Sequence, residues 1–249
     1  MLFALLVVGC GGKKVLNIGN PDLRFAEIKK LYERKKYDRV IEEIEVYLIA
    51  FSGTAKVDSA QLLLAEAHFY NGEFLLGQAE YERLSEQFPQ SPLVEEARYK
   101  SALCWSKLSP KQELDQKYTQ KALDEFQGFL EEYPQSHYAK DAEEGLTKCR
   151  EKIAMKELAA AQLYFKMRKY ESAILYFDQV IDTYYSTPAE PLAYLGKALS
   201  LEKLEDSNGA KAAYATILTK FPGSDTAKEA GRRFKELENR EHRTTGRNF

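Results

Sequence analysis

The chain has 249 residues, with 14 Gly and 8 Pro against 16 Tyr and 13 Phe. So few turn-forming residues beside so many rings favour long helices packed by aromatic side chains over a sheet with many tight turns. Charged residues make up 30% of the chain, but 36 Lys and Arg against 38 Asp and Glu leave a net charge of −2. That balance provides no field that would favour nucleic acid. The hydrophobic fraction of 44% excludes a disordered chain, and the charged fraction excludes a protein with many membrane spans.

The first ten residues combine an apolar run with a cysteine. Residues 2–8 are too few to cross a bilayer, which takes about 20 residues in a helix, but they match the shortest core of a secretory signal. Residues 7–10, Val-Val-Gly-Cys, resemble the lipobox of bacterial lipoproteins. We expect a signal peptide over 1–9, lipidation of Cys10 and a linker over 10–21. No Lys or Arg precedes the run, as in a truncated signal, and the alternative is a buried apolar strand with an incidental Cys.

The segment 60–91 shows the pattern of an internal repeat most fully. Small residues and a ring occupy its first half, Gly72 and Phe74 mark a bend, and Tyr81 and Pro89 follow in its second half. This order resembles a tetratricopeptide (TPR) repeat, in which small residues at the crossing of two antiparallel helices admit large ones from the partner. Because several offsets must hold at once, the pattern predicts an all-α fold.

The pattern recurs in five copies, three of which end in a ring, Pro, Gln or Gly, and Ser. The Pro ends one helix and the Ser caps the next. The third copy is split by an insertion over about 109–120, and one unbroken helix over 138–168 opens the fourth. A polar helix over about 224–241 supplies the terminal cap that a solenoid needs. We therefore predict an α-solenoid of about five TPR helix pairs with a C-terminal capping helix, an N-terminal half over 22–136, a C-terminal half over 137–242 and a disordered tail over 243–249.

The residue types that most often carry catalysis or bind metals do not form a recognisable motif in this sequence. His68, His137 and His242 have no His or Cys at ligand spacing, and no catalytic motif is present. Adjacent carboxylates in a helix point about 100° apart, so the many Glu pairs indicate solvated faces. We expect no enzymatic activity, no metal and no cofactor. Cys104 and Cys149 are interpreted as buried thiols, and a disulfide between them is left open.

The first helix of each TPR pair lines the concave side of such an array, and positions i, i+4 and i+7 share one face. On that face lie apolar and aromatic side chains with one cation among them: Phe25, Lys29, Tyr32, Leu62, Phe69 and Tyr99. The same face carries Glu66, Leu103 and Ser106, and in the fourth copy Leu158, Gln162 and Phe165. We predict a groove for an extended peptide with aromatic side chains, in which Lys29 pairs with a carboxylate such as a chain end. The alternative is that these rings only fill the inside of the superhelix.

The segment from Asp115 to Ala142 resembles the BamD family, also called ComL or YfiO. The likeness rests on Tyr118, Phe126 and the Tyr-Pro-Gln-Ser of residues 133–136, combined with the lipobox and the split third repeat. Members of that family are lipoprotein subunits of the machine that assembles outer-membrane β-barrels. The resemblance implies a non-enzymatic scaffold, anchored by lipid to the periplasmic face of the outer membrane.

The resemblance also implies partners for each half of the chain. The N-terminal repeats are expected to receive the C-terminal targeting peptides of unfolded barrel precursors. The C-terminal repeats, here about 138–241, are expected to dock on the POTRA region of the barrel subunit BamA and on the other Bam lipoproteins. Two rivals remain: another periplasmic TPR adaptor lipoprotein, such as a CpoB-like partner of the Tol–Pal system or a cell-envelope scaffold, and a hydrolase with two converging acids.

Overall fold

A computed structural model describes the backbone of residues 19–245 and the side chains of residues 19–240. This part of the chain contains α-helices and no strand. Pairs of consecutive helices pack on each other, as the repeat pattern predicts, so the all-α TPR-type fold is confirmed. The helices are α1 (Pro21–Glu33), α2 (Tyr37–Ala50), α3 (Val57–Tyr70), α4 (Phe74–Gln87), α5 (Val94–Leu108), α6 (Lys117–Glu132), α7 (Ala139–Lys166), α8 (Tyr170–Thr183), α9 (Ala189–Lys203), α10 (Ser207–Lys220) and α11 (Asp225–Thr245).

The chain forms two compact units that divide between Cys104 and Trp105, inside α5. This division lies before the 136/137 boundary expected from the sequence. The reason is the packing of α6 on α7, where the ring of Phe126 lies against Gly145. That contact holds the second helix of the third repeat in the same unit as the long helix of the fourth.

The first unit is packed around two tyrosines. Tyr47 of α2 and Tyr81 of α4 are fully buried, and aliphatic side chains of α1 to α4 surround them. The helices α3 and α4 approach closely at Gly77, where a Cβ would lie 3.3 Å from the carbonyl oxygen of Ala65. A small residue at this crossing is what the repeat pattern requires.

In the second unit, helices also approach closely at glycines, and here phenylalanine rings pack against them. Phe126 and Phe177 are 0% and 1% exposed, and each ring occupies the space that a Cβ would take on a glycine of the next helix, Gly145 and Gly196. Such interlocking of rings with helix glycines explains why Gly145 stands inside the long helix α7 despite its low helix propensity.

Four helix pairs turn through a residue with left-handed backbone geometry. These residues are Lys35, Gly72, Arg168 and Glu205, with φ of 54°, 81°, 61° and 62°. In each bend the following amide donates to the carbonyl five residues earlier, at 2.9–3.0 Å, which closes the end of the first helix. Only one of the four positions carries the glycine that this geometry favours.

Two predicted boundaries shift in the structure. The insertion in the third repeat covers 109–116 and ends where α6 begins, earlier than the 109–120 expected. The helix α11 runs to Thr245, so residues 243–245 are helical where the sequence suggested a disordered tail. The predicted signal peptide, Cys10 and most of the linker lie outside the described residues. Across residues 19–245, every helix is too short or too polar to cross a bilayer.

Candidate functional site

A cavity of about 220 Å³ lies between α1 and α3 in the first unit. Residues four apart on α1, and three or four apart on α3, place their side chains on the facing sides of the two helices. Its walls combine four apolar side chains with three polar or charged ones. The cavity is lined by Phe25, Lys29, Ser59, Leu62, Leu63, Glu66 and Leu93.

The carboxylate of Glu66 is already engaged within the protein. Lys100 of α5 forms an ion pair with Glu66 and a second one with Glu96 at 2.9 Å. Burial alone would lower the pKa of Lys100, but the hydrogen bonds and charges of these two carboxylates raise it. The pKa of Tyr32 is raised by burial first, and then by the charge and hydrogen bonding of Glu66. Glu66 therefore has little capacity left for a ligand.

Lys29 is in the opposite situation. Its side chain is exposed at the cavity, and no carboxylate of a described residue lies within ion-pair distance of its Nζ. Because Glu66 pairs with Lys100, which also binds Glu96, it is Lys29 that remains at the cavity without an ion-pair partner among the described residues. A cavity with apolar side chains and one such cation suits a ligand that joins an apolar group to a carboxylate.

The structure brings together part of the predicted groove. Phe25, Lys29 and Leu62 line the cavity, whereas Tyr32, Phe69 and Tyr99 do not. Tyr32 packs in a ring cluster, 5.7 Å from Tyr37 and 6.1 Å from Tyr70 between ring centroids. Phe69 contacts the rings of Tyr70 and Phe74, and Tyr99 is 8% exposed.

The predicted positions of the fourth repeat lie in the other unit. Leu158 is buried in its core, and Phe165 packs beside that core with its ring against Tyr170. Gln162 is exposed. Leu103 and Ser106 are half-buried on either side of the division inside α5. None of these residues is among the side chains that line the cavity.

Sequence reasoning missed Ser59, Leu63 and Leu93, which complete the cavity wall, and Lys100, which sets its charge. Glu66 and Lys100 stand 34 residues apart, which is one TPR period. The ion pair could have been predicted from this spacing, because it places opposite charges at equivalent positions of α3 and α5. Leu93 precedes α5 and has no periodic signal.

The remaining candidate residues for chemistry, the histidines and cysteines, have structural surroundings. Across the described part of the chain, no group of three His, Cys, Asp or Glu side chains is placed to hold a metal ion. His68 Nδ1 lies 2.7 Å from a carboxylate oxygen of Glu73 at the bend between α3 and α4. Cys104 and Cys149 are free and buried, and burial raises the pKa of both thiols, that of Cys104 to about 12.

An all-α array of TPR-type helix pairs is typical of the class of adaptor and scaffold proteins. The family model of the outer membrane lipoproteins called YfiO matches residues 21–209. This match covers most of the chain, and the protein therefore belongs to the YfiO outer membrane lipoprotein family.

Curated relatives named outer membrane protein assembly factor BamD align with much of the chain. The outer membrane protein assembly factor BamD of Rickettsia prowazekii is 26% identical over 96% of this chain and 98% of its own length. That of Neisseria meningitidis serogroup B is 25% identical, over 84% and 82%. The BamD of Caulobacter vibrioides is 25% identical over 65% of this chain, which spans about half, 53%, of that relative. These relatives are named as assembly factors, in agreement with the expectation that the chain is a non-enzymatic scaffold.

Solved TPR structures also align with much of this chain. The TPR2AB-domain–pHSP90 complex of yeast Sti1 is 19% identical, with a TM-score of 0.44 over 83% of this chain and 80% of that one. A TPR protein of Thermus thermophilus, TTC0263, is 15% identical, with a TM-score of 0.37 over 88% and 98%.

Proposed function

We propose that this chain is a non-enzymatic scaffold for the assembly of β-barrel proteins in the outer membrane. The family and the relatives named as BamD assembly factors support this role. The unpaired Lys29 beside the apolar side chains of the cavity is the structural observation that carries it. The first unit then receives the C-terminal segment of an unfolded barrel precursor, which ends in an aromatic residue and a free carboxylate.

The size and chemistry of the cavity suit such a chain end. A cavity of about 150 Å³ is large enough to bind benzene, so about 220 Å³ accommodates one aromatic ring. The ring would lie against Phe25, Leu62 and Leu63, and the terminal carboxylate would pair with Lys29. Removing the negative charge of the ligand, or the positive charge of the protein, should therefore reduce affinity.

Peptide binding tests this assignment. A peptide that ends in Phe with a free carboxylate should bind more tightly than the same peptide with a C-terminal amide. A hydrogen bond to a charged group contributes about 1.5–3 kcal/mol, so we expect a preference of at least about tenfold. Lys29→Gln should abolish this preference, whereas Lys30→Gln, on the neighbouring exposed lysine, should retain it. An equal carboxylate preference in Lys29→Gln would exclude the proposed pairing.

The lipid anchor is a separate part of the proposal. Cys10 follows the apolar run and Gly9, as in a lipobox, and the family is one of outer membrane lipoproteins. Two or more acyl chains on Cys10 would hold the chain on a membrane surface stably. Cys10→Ser should move the protein from the membrane fraction to the soluble fraction. Recovery of this variant with the membranes would contradict lipid anchoring.

The second unit is assigned to docking on the machine itself. Residues of about 138–241 would contact the POTRA region of a BamA-like barrel protein and the other Bam lipoproteins. Affinity purification of the lipidated chain from solubilised membranes should recover such a barrel protein. Recovery of Tol–Pal proteins without a barrel protein would instead favour the adaptor alternative.

A further inference from the structure

Four cations cluster where α1 turns into α2. Lys30, Arg34, Lys35 and Lys36 are all exposed, and Glu33 is the only acidic residue between positions 30 and 36. We call these four cations the basic bend. None of their side chains makes an ion pair or a hydrogen bond with a described residue. The charge of the basic bend is therefore not neutralised within the described part of the protein.

Three other cations of the first unit, by contrast, form ion pairs. The guanidinium of Arg24 lies 2.7 Å from Glu43, Lys56 Nζ lies 2.8 Å from Asp22, and Arg83 lies 2.6 Å from Glu80. The charges of the whole chain nearly cancel. The basic bend is thus a local excess of positive charge at one end of the first helix pair, and it has the chemistry of a contact for an anionic surface.

We propose that the basic bend lies on anionic phospholipid headgroups of the bilayer to which Cys10 is anchored. The inference rests on the proposed lipid anchor. The ten residues 11–20 span at most about 35 Å, and the 13 residues of α1 add about 20 Å. An anchored Cys10 therefore keeps the basic bend within about 55 Å, which gives the bilayer a high effective concentration over any free acidic protein.

The bend between α7 and α8 provides an internal comparison. Lys166, Arg168 and Lys169 are exposed there as well, but nothing in the sequence limits the distance of that bend from Cys10 so tightly. If proximity to the anchor selects the membrane contact, only the basic bend should be covered by the bilayer.

Lysine acylation on vesicles tests this inference. The full chain is coupled through Cys10 to a maleimide phospholipid in phosphatidylcholine vesicles, with or without phosphatidylglycerol, and an amine-reactive ester is added. Each cation at an anionic surface favours contact about fivefold. Because at least two of the four cations would be in contact, acylation of Lys35 and Lys36 should slow at least about tenfold on the anionic vesicles. Acylation of Lys166 and Lys169 should stay unchanged, and about 1 M salt should remove the protection.

Matched variants locate the contact. Arg34→Gln combined with Lys36→Gln should remove the protection of Lys35. Lys56→Gln combined with Arg83→Gln removes the same number of positive charges elsewhere in the first unit and should retain the protection. Equal acylation rates on both kinds of vesicle would overturn the proposal, and so would equal slowing at both bends. If hexaglutamate protects Lys35 on neutral vesicles while phosphatidylglycerol does not, the basic bend docks an acidic protein and the membrane assignment is wrong.

The test separates this inference from the proposed function. The lipid is coupled chemically, so the acylation result does not depend on whether cells modify Cys10. The fractionation of Cys10→Ser decides that question, and the peptide assay with Lys29→Gln uses no vesicles. Loss of protection at the basic bend can therefore be distinguished from failure of either earlier proposal.

Discussion

The contact between Phe126 and Gly145 favours a glycine over any larger residue inside the helix α7. A Cβ at Gly145 would lie 2.6 Å from Cζ of Phe126 and 2.7 Å from its Cε2, whereas non-bonded carbons prefer about 3.5–4.0 Å. The ring is 0% exposed and enclosed by the core. Gly145→Ala therefore requires the ring, or the helix that carries it, to move by about 1 Å.

The sign of the effect depends on two opposing contributions. Replacing a helical Gly by Ala favours the helix by about 1 kcal/mol, and overpacking a core costs about 1–3 kcal/mol. So close a contact belongs in the upper part of that range, and we expect Gly145→Ala to lower the free energy of unfolding by about 1 kcal/mol. At Gly128 in α6 a Cβ meets nothing within 4 Å, so Gly128→Ala should raise it by about 1 kcal/mol.

Fluorescence of the single tryptophan allows the stabilities of Gly145→Ala and Gly128→Ala to be compared for the second unit alone. Trp105 is stacked on Tyr118 of α6, with 5.6 Å between ring centroids, so its fluorescence in urea reports the unfolding of the region that carries both glycines. Combining Gly145→Ala with Phe126→Leu should recover part of the loss, because the two changes act on one contact. If Gly145→Ala proves as stable as the unaltered chain, the interlocking of α6 and α7 described above is wrong.

Two further predictions concern the bends and the thiols. Lys35→Gly should raise the free energy of unfolding by about 1 kcal/mol and Gly72→Ala should lower it similarly, as measured by circular dichroism in urea, because both positions are left-handed. At pH 8 a maleimide should leave Cys104 and Cys149 unmodified until urea is added. Burial raises the pKa of Cys104 from 9.0 to about 12, so the stability contributed by its neutral thiol is present below pH 9 and is lost between pH 9 and about 12.

The repeat architecture could be predicted because local chemistry determines it. Ser91 and Ser136 accept backbone amides two residues later, at 3.2 Å and 3.0 Å, and Ser224 accepts that of Ala227 at 3.1 Å. These hydrogen bonds follow the three Pro-containing stop signals seen in the sequence. Each depends on residues within a few positions of one another, so the sequence alone contains the information.

The cavity could be predicted only in part because it depends on contacts between repeats. The spacing of Phe25 and Lys29 places them on one face of α1, but it does not determine which residues of the next repeat face them. Tyr32 shares that face and still packs among rings beside the bend. Leu93 reaches the cavity from the segment before α5, where no periodicity applies.

The charge of the cavity depends on which cation forms an ion pair with Glu66. In the sequence, Lys29 and Glu66 occupy equivalent positions of two first helices, and their charges would cancel if they paired with each other. In the structure Glu66 pairs with Lys100, and Tyr32 also interacts with its carboxylate. The third repeat thus supplies the counter-charge, and Lys29 of the first repeat remains available. The preference for a carboxylate ligand is therefore a property of three consecutive repeats acting together, although a single lysine would make the contact.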